Sequence, residues 1–315
     1  MSSFMTRVWR QVRAELLLLA HSRRSLGFLG VLLLGVLVAY AGSRSAAQSA
    51  IRTFAQQVKA FEERGISLQD ALAAPMSVTT SGQSETIDNP LKYDFLELSE
   101  RVRATESAAM ASTALDLVTF LVMPLLFLFV GASMALVDRS AGTVGWRASR
   151  ERWPVIALAK VLAIGTAGFV AAALTAAFGA VVGAAGSLVL GSVRDQAGYP
   201  LPIPDGHPLV PKVLMTAAVA LVFGALGQLV GTVTRSTSWP LVLAALALFM
   251  APFLVAWDPR NLMASFGRMV YDFWGQFSLR PPLEVTVGGA AALAAGQVLL
   301  LAAALAVVSR RAPMT

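Results

Sequence analysis

Charge is arranged in this chain as a series of long gaps. Six stretches, 25–43, 117–137, 161–193, 213–234, 236–257 and 285–309, contain no Asp, Glu, Lys or Arg and are mostly apolar. A helix rises about 1.5 Å per residue, so about 20 apolar residues carry it across the hydrocarbon core of a bilayer. Five of the runs fit one crossing each, and 161–193 is long enough for a tilted helix with an extra apolar turn. Charged residues make up 14% of the chain, against roughly 25% for a soluble domain. The expected fold class is therefore an all-α integral membrane protein with six transmembrane helices.

The net charge of +7 follows the same pattern. With the N-terminus inside and loops assigned alternately, the inner segments hold Arg7, Arg10, Arg13, Arg23, Arg24, Arg139, Arg147, Arg150, Arg152, Lys160, Arg235, Arg310 and Arg311. Against them stand Glu15, Asp138 and Glu151, while the outer segments come out slightly negative. This is the positive-inside bias, and it places both termini in the cytoplasm of a cell whose inner membrane the chain crosses. No basic patch with interleaved aromatics is present, so no nucleic-acid partner is expected. A cleaved leader ending near Ala41 is disfavoured, because the basic region before the first run is long and itself patterned.

Residues 1–24 read as a cytoplasmic interfacial helix. Phe4, Val8, Val12 and Leu16 recur at helical spacing with Trp9 alongside, and Arg7, Arg10 and Arg13 gather on the other side. Such a helix lies in the headgroup plane with membrane lipid as its partner. Span 1 covers 25–42. The polar segment 43–112 is expected to be a helical cap outside the membrane. Ile51, Phe54, Val58 and Phe61 mark one of its helices, and Tyr93 to Leu115 a second that runs unbroken into span 2. Gly65, Pro75, Gly82 and Pro90 mark the turns and loop between. Span 2 is 113–137, the inner loop 138–153, span 3 154–187, an outer loop 188–211 and span 4 212–234. Span 5 occupies 235–257 after a short inner turn. An outer loop with short helices follows over 258–284, then span 6 over 285–309 and a cytoplasmic tail 310–315. Gly179, Gly183 and Gly186 in span 3, and Gly224, Gly227 and Gly231 in span 4, are small residues that let helices approach closely.

The chemistry-bearing residues are few. The chain has no cysteine, which excludes disulfides and thiolate-bound metals. His21 and His207 stand alone in sequence and read as polar interfacial residues. There is no phosphate-cradling G-x-x-x-x-G-K-[ST] loop, no H-E-x-x-H and no G-x-S-x-G. The chain is therefore not expected to be an enzyme or to hold a metal or cofactor itself. Asp116, in the first turn of span 2, fits either an outer vestibule or the membrane interface. With Thr119, Gln228 and Gln297 it makes up the polar candidates for a pathway through the spans, an otherwise apolar lining suited to an amphipathic or lipid-like cargo.

One loop remains. It reads Asp138-Arg-Ser-Ala-Gly142-Thr143-Val-Gly-Trp-Arg147-Ala-Ser-Arg150-Glu-Arg152-Trp-Pro154, followed by apolar residues to Lys160. It resembles the loop between the second and third spans of the type-2 ATP-binding-cassette (ABC) permeases, in which an acid precedes Gly-Thr and an Arg, an apolar turn and a Lys follow. Asp138, Gly142, Thr143, Arg150 and Lys160 match that order, and Met123-Pro124-Leu125-Leu126 is similar upstream. The chain departs from the pattern in carrying Asp138 for the usual Glu, Ser149 for a common Pro, and Val-Gly-Trp-Arg-Ala after Gly-Thr. The long segment 43–112 is similar to that of a subset with a large outer domain.

The resemblance implies a permease dimer, formed with a second copy or a related chain, above two nucleotide-binding ATPase subunits that hold ATP and Mg. It implies that this loop is the coupling helix. Gly142 would permit the sharp exit from the span, Thr143 would cap the following helix, and Arg147, Arg150 and Arg152 would meet acids on the ATPase or serve only as topology anchors. From a different class, the chain also fits a non-transporting membrane scaffold or immunity protein that binds a peptide or assembly partner through its outer segment.

Overall fold

The computed structural model describes residues 4–81, 84–242, 258–274, 277 and 283–311. Their architecture is helical, with a single two-stranded ribbon. Five helical stretches are long and apolar enough to cross a membrane: Arg24–Glu62, Ser107–Ser140, Trp153–Leu190, Leu209–Thr234 and Val287–Val308. The chain is accordingly a multi-pass membrane protein. The expected span 5, 235–257, lies past 242 outside the described residues. The tail from 312 onward is likewise outside them.

Helix α1 (Phe4–His21) packs on the start of the third spanning helix. Helix α2 (Arg23–Glu62) is a single rod of 40 residues, about 60 Å long. It therefore carries span 1 and the helix marked by Ile51, Phe54, Val58 and Phe61 without interruption. No proline or β-turn pair separates them, and Gly42 alone is too weak a breaker to end a helix.

The protruding half of α2 builds the cap. Phe54 and Val58 pack with Leu91, Phe95 and Leu98 of α4 (Pro90–Arg103) and with Val193 and Ala197 of α9 (Val193–Ala197), and the short α3 (Leu68–Ala73) adds Ala71. Two sequence expectations are corrected here. Residues read as turns and loop form an antiparallel ribbon, β1 (Val78–Ser81) with β2 (Ser84–Ile87), Val78 opposite Ile87. The β-branched Val78, Thr79, Thr80, Thr86 and Ile87 favour this extended state. The helix expected to run from Tyr93 into span 2 breaks at Ala104–Glu106, where Glu106 turns extended before α5 (Ser107–Leu117).

The second crossing is not uniform. Helix α5 passes into a π-helical turn, Val118–Val122, before α6 (Met123–Ser140). Pro124 has no N–H to give to the carbonyl four residues earlier, and the widened turn takes up the lost bond. Helix α8 (Trp153–Leu190) runs antiparallel to α5 and α6 as one 38-residue rod, which accounts for the overlong apolar run. Helix α10 (Leu209–Thr234) returns parallel to α6.

The glycines of spans 3 and 4 sit where backbones touch. A Cβ on Gly179 would lie 2.6 Å from the Met110 carbonyl, one on Gly231 2.8 Å from Ala132 Cα, and one on Gly227 would overlap the Leu128 carbonyl. Helices α11 (Pro259–Val270) and α12 (Val287–Arg311) complete the described chain. None of the most apolar window of α12 is buried within the chain.

Candidate functional site

The loop after α6 is short and folded tightly. Gly142 adopts φ +67°, a left-handed turn that an L side chain rarely takes. The chain then forms α7 (Val144–Arg150), a helix of seven residues. Thr143 occupies the N-cap position, but its hydroxyl makes no cap bond. It donates instead to the Asp138 carbonyl at 3.3 Å, so the expected capping role is replaced by a tie to the end of α6.

Three of the loop's charged residues, Asp138, Arg147 and Glu151, turn inward. Arg147 Nη1 donates to Asp138 Oδ1 at 2.6 Å, and Nη2 donates to Glu15 Oε1 at 2.6 Å and to Gln11 Oε1 at 3.2 Å. Lys160 Nζ donates to the other Asp138 oxygen at 2.8 Å and also to the Met134 carbonyl. All four ionic side chains, Glu15, Asp138, Arg147 and Lys160, are less than a tenth exposed. Two acids meet two bases, so the cluster is formally neutral. It joins four elements: α1, α6, α7 and α8. Burial alone would lower the Arg147 pKa, but the charge of Glu15 and the bonds to both carboxylates outweigh it and hold the guanidinium above its ordinary value. A second clasp lies beside it, where Glu151, buried, accepts from Arg10 at 3.1 Å and pairs with Arg7 at 3.9 Å.

The sequence expectation that Arg147 reaches out to a partner is thus corrected, because its donors are used internally. The outer face of α7 belongs to Trp146, 59% exposed, with the Arg150 guanidinium 4.1 Å over its ring, and to Ser149; Arg152 is exposed just beyond. On α1, Val8 and Val12 are buried, whereas Phe4 and Trp9 are exposed, as are Arg10 and Arg13. The apolar stripe therefore divides. Part of it packs within the chain, and Phe4, Met5 and Trp9 stay exposed. Glu15 lies on the packed side, three residues after Val12, and an acid in an apolar stripe is the signal by which the junction could have been found.

The pathway candidates do not converge. Gln228 donates weakly to the Ala157 carbonyl at 3.4 Å and lines a cleft of about 60 Å³ beside Asp138 and Lys160. Gln297 is half-buried on α12. Asp116 and Thr119 lie at the opposite end of the spans, in a second polar cluster that sequence reading missed. Lys212, fully buried, donates to Ser112 and Asp272, and Asp272 also accepts from the His207 backbone and ring nitrogens at 2.9 and 2.7 Å. His207, read as a lone interfacial residue, thus has a partner 65 positions away.

Thr119, Thr216 and the Tyr271 hydroxyl form a mutually bonded triangle at 2.7–3.1 Å. Burial pushes the Tyr271 phenol up to about 12, against the pull of the two threonines. Burial would also raise the Asp272 carboxyl, but the hydrogen bonds from Lys212 and His207 hold it below its ordinary value. Among the described residues no group of three or more His, Asp or Glu is placed to hold a metal ion.

No family model, no curated protein and no solved structure matches this chain.

Proposed function

We propose that the chain is the membrane-spanning subunit of an ATP-binding-cassette exporter, driven by a separate nucleotide-binding ATPase that seats against α7. The observation that carries this reading is the junction of Glu15, Asp138, Arg147 and Lys160. A seven-residue helix has too few internal hydrogen bonds to be rigid alone. Removing one member of a buried ion pair costs about 3–5 kcal/mol, so this helix is held firmly to α1, α6 and α8. A push on α7 is then a push on two spans and the interfacial helix together.

The exposed face suits such a partner. Trp146 and Arg150 are stacked, and aromatic and Arg side chains supply much of the energy at protein interfaces. With Arg147 committed internally, Arg150 and Arg152 are left as the cations that would meet acids on the ATPase. The reading keeps six crossings, both termini on the cytoplasmic side of the inner membrane, and a dimer whose second member is another copy or a related chain. The long exposed apolar faces of α2 and α12 are consistent with lipid and such a neighbour.

The test is co-expression with the cognate ATPase. The wild-type chain should bind the ATPase and change its ATP turnover, and Arg150→Glu with Arg152→Glu should abolish both while leaving thermal stability unchanged. A chain that neither binds the ATPase nor alters its turnover would refute the reading. A scaffold, by contrast, would keep its biological function when ATP hydrolysis in the partner is abolished.

A further inference from the structure

Asp116 sits in α5 two residues before the π-helical segment, and it is 2% exposed. Its Oδ1 has no hydrogen-bond partner among the described residues. An unpaired carboxylate oxygen removed from water is costly and marks a place where a proton donor or a cation belongs. The nearest base does not fill the role by contact, because Lys212 gives its donors to Ser112 and Asp272. Lys212 is thus committed to Asp272, which His207 also bonds, and Asp116 keeps one oxygen without a donor among the described residues.

Asp116 also forms part of the wall of a cleft of about 240 Å³ between α2 and α5. The other polar side chains there are Ser43 and Thr113. The Thr113 hydroxyl donates to the Ala109 carbonyl at 3.1 Å, which leaves its lone pairs as acceptors. The rest of the lining is apolar and includes Val38, Leu117 and the Phe277 ring. A space of this size holds the equivalent of about eight waters at about 30 Å³ each, which matches a ligand of roughly ten non-hydrogen atoms. Acceptors at one point, apolar walls and an aromatic ring are complementary to one chemistry: a cationic head with N–H donors on a compact apolar body. The adjoining π turn widens the helix beside the carboxylate, a distortion found often at ligand sites.

We infer that the cleft between α2 and α5 binds a small amphipathic organic ammonium ion, its head on Asp116 and its body against Leu117 and Phe277. The inference rests on the cleft alone and does not require the ATPase reading. If the chain is an exporter subunit, the site would contact cargo. If it is a scaffold, the site would hold a regulatory ligand.

The experiment is calorimetric titration of the purified chain in lipid nanodiscs, with empty nanodiscs as the blank. The probes are 2-phenylethylammonium, the uncharged isostere 2-phenylethanol and the anion 3-phenylpropionate. The ammonium should bind at least tenfold more tightly than either control. Asp116→Asn should reduce its affinity at least tenfold, to the level of the alcohol. Val38→Trp, at an exposed position on the cleft wall, keeps the carboxylate and fills the space, so it should also abolish binding; it serves as the test should Asp116→Asn fail to fold. Gln228→Ala, at the far end of the spans, should change nothing. Equal binding of ammonium and alcohol, undiminished binding in Asp116→Asn or in Val38→Trp, or no binding of the ammonium by the wild-type chain would overturn the inference.

Discussion

Nη2 of Arg147 lies 2.6 Å from Oε1 of Glu15, although 132 positions separate them in the sequence. Both side chains are buried, so each is the other's replacement for water. Glu15→Gln or Arg147→Met alone should lower stability by about 3–5 kcal/mol, because each strands a buried charge. The double variant should cost less than the sum, with a coupling of about 1–3 kcal/mol. Arg147→Lys should recover only part of the loss, since an ammonium cannot bridge Glu15 and Asp138 as the guanidinium fork does. Unfolding in mixed micelles reads all four. Additive single losses would show that the two residues act independently.

Close backbone packing between α6 and α10 gives a second expectation. Gly227→Ala places a methyl on the Leu128 carbonyl, which belongs to a helix backbone and cannot step aside. Overpacking of this kind costs about 1–3 kcal/mol. Gly288→Ala, with open space around its position on α12, should stay within about 0.5 kcal/mol of wild type. A comparison of melting temperatures separates the two.

These helix contacts bear on how much was legible beforehand. Five of the six apolar runs fall in helices long and apolar enough to cross a membrane, because a charge-free stretch of that length has few other stable environments. The position of Gly142 and the short helix after it were also readable, since glycine beside a polar loop marks a left-handed turn. The cap helix was readable from Ile51, Phe54, Val58 and Phe61, but its fusion with span 1 was not, because Gly42, Ser43 and Arg44 resemble a helix end. The break before α5 carries no Gly or Pro at all, so no local residue announces it. The ionic pairs were the least legible. Lys212 appeared only as the edge of an apolar run, and what makes it structural is Asp272, 60 residues away. Pairings between distant segments follow from packing, and a single sequence carries no mark of them.

The Asp272 clasp should show in acid. Its carboxyl is held below the ordinary value by Lys212 and His207 despite burial, so the unfolded chain binds the proton more readily than the folded one. The stabilisation is therefore complete above about pH 4 and fades as pH falls through the folded value. With His207→Gln as a common background, the stability difference between Asp272 and Asp272→Asn should be level from pH 7 to pH 5 and shrink below about pH 4. A difference that persists unchanged to pH 3 would contradict this.

The cap has its own core and should fail on its own. Phe54 is 1% exposed and touches the rings of Phe95 and Tyr199 at centroid distances of 5.7 and 5.0 Å. Phe54→Ala should cost about 3–5 kcal/mol locally. Limited proteolysis should then cut within 63–90 while the packed spans α6, α8 and α10 remain resistant. Cleavage spread equally through the spans would show that cap and spans unfold as one unit.

The absence of cysteine makes the most direct test clean. Ser149→Cys places a single thiol on the exposed face of α7, beside Trp146 and Arg150. A membrane-impermeant maleimide should label it in inside-out vesicles and not in intact cells, and bound cognate ATPase should protect it. Labelling from the outer side, or labelling unchanged by saturating ATPase, would contradict the proposal that α7 is the cytoplasmic docking helix of an ATP-driven permease.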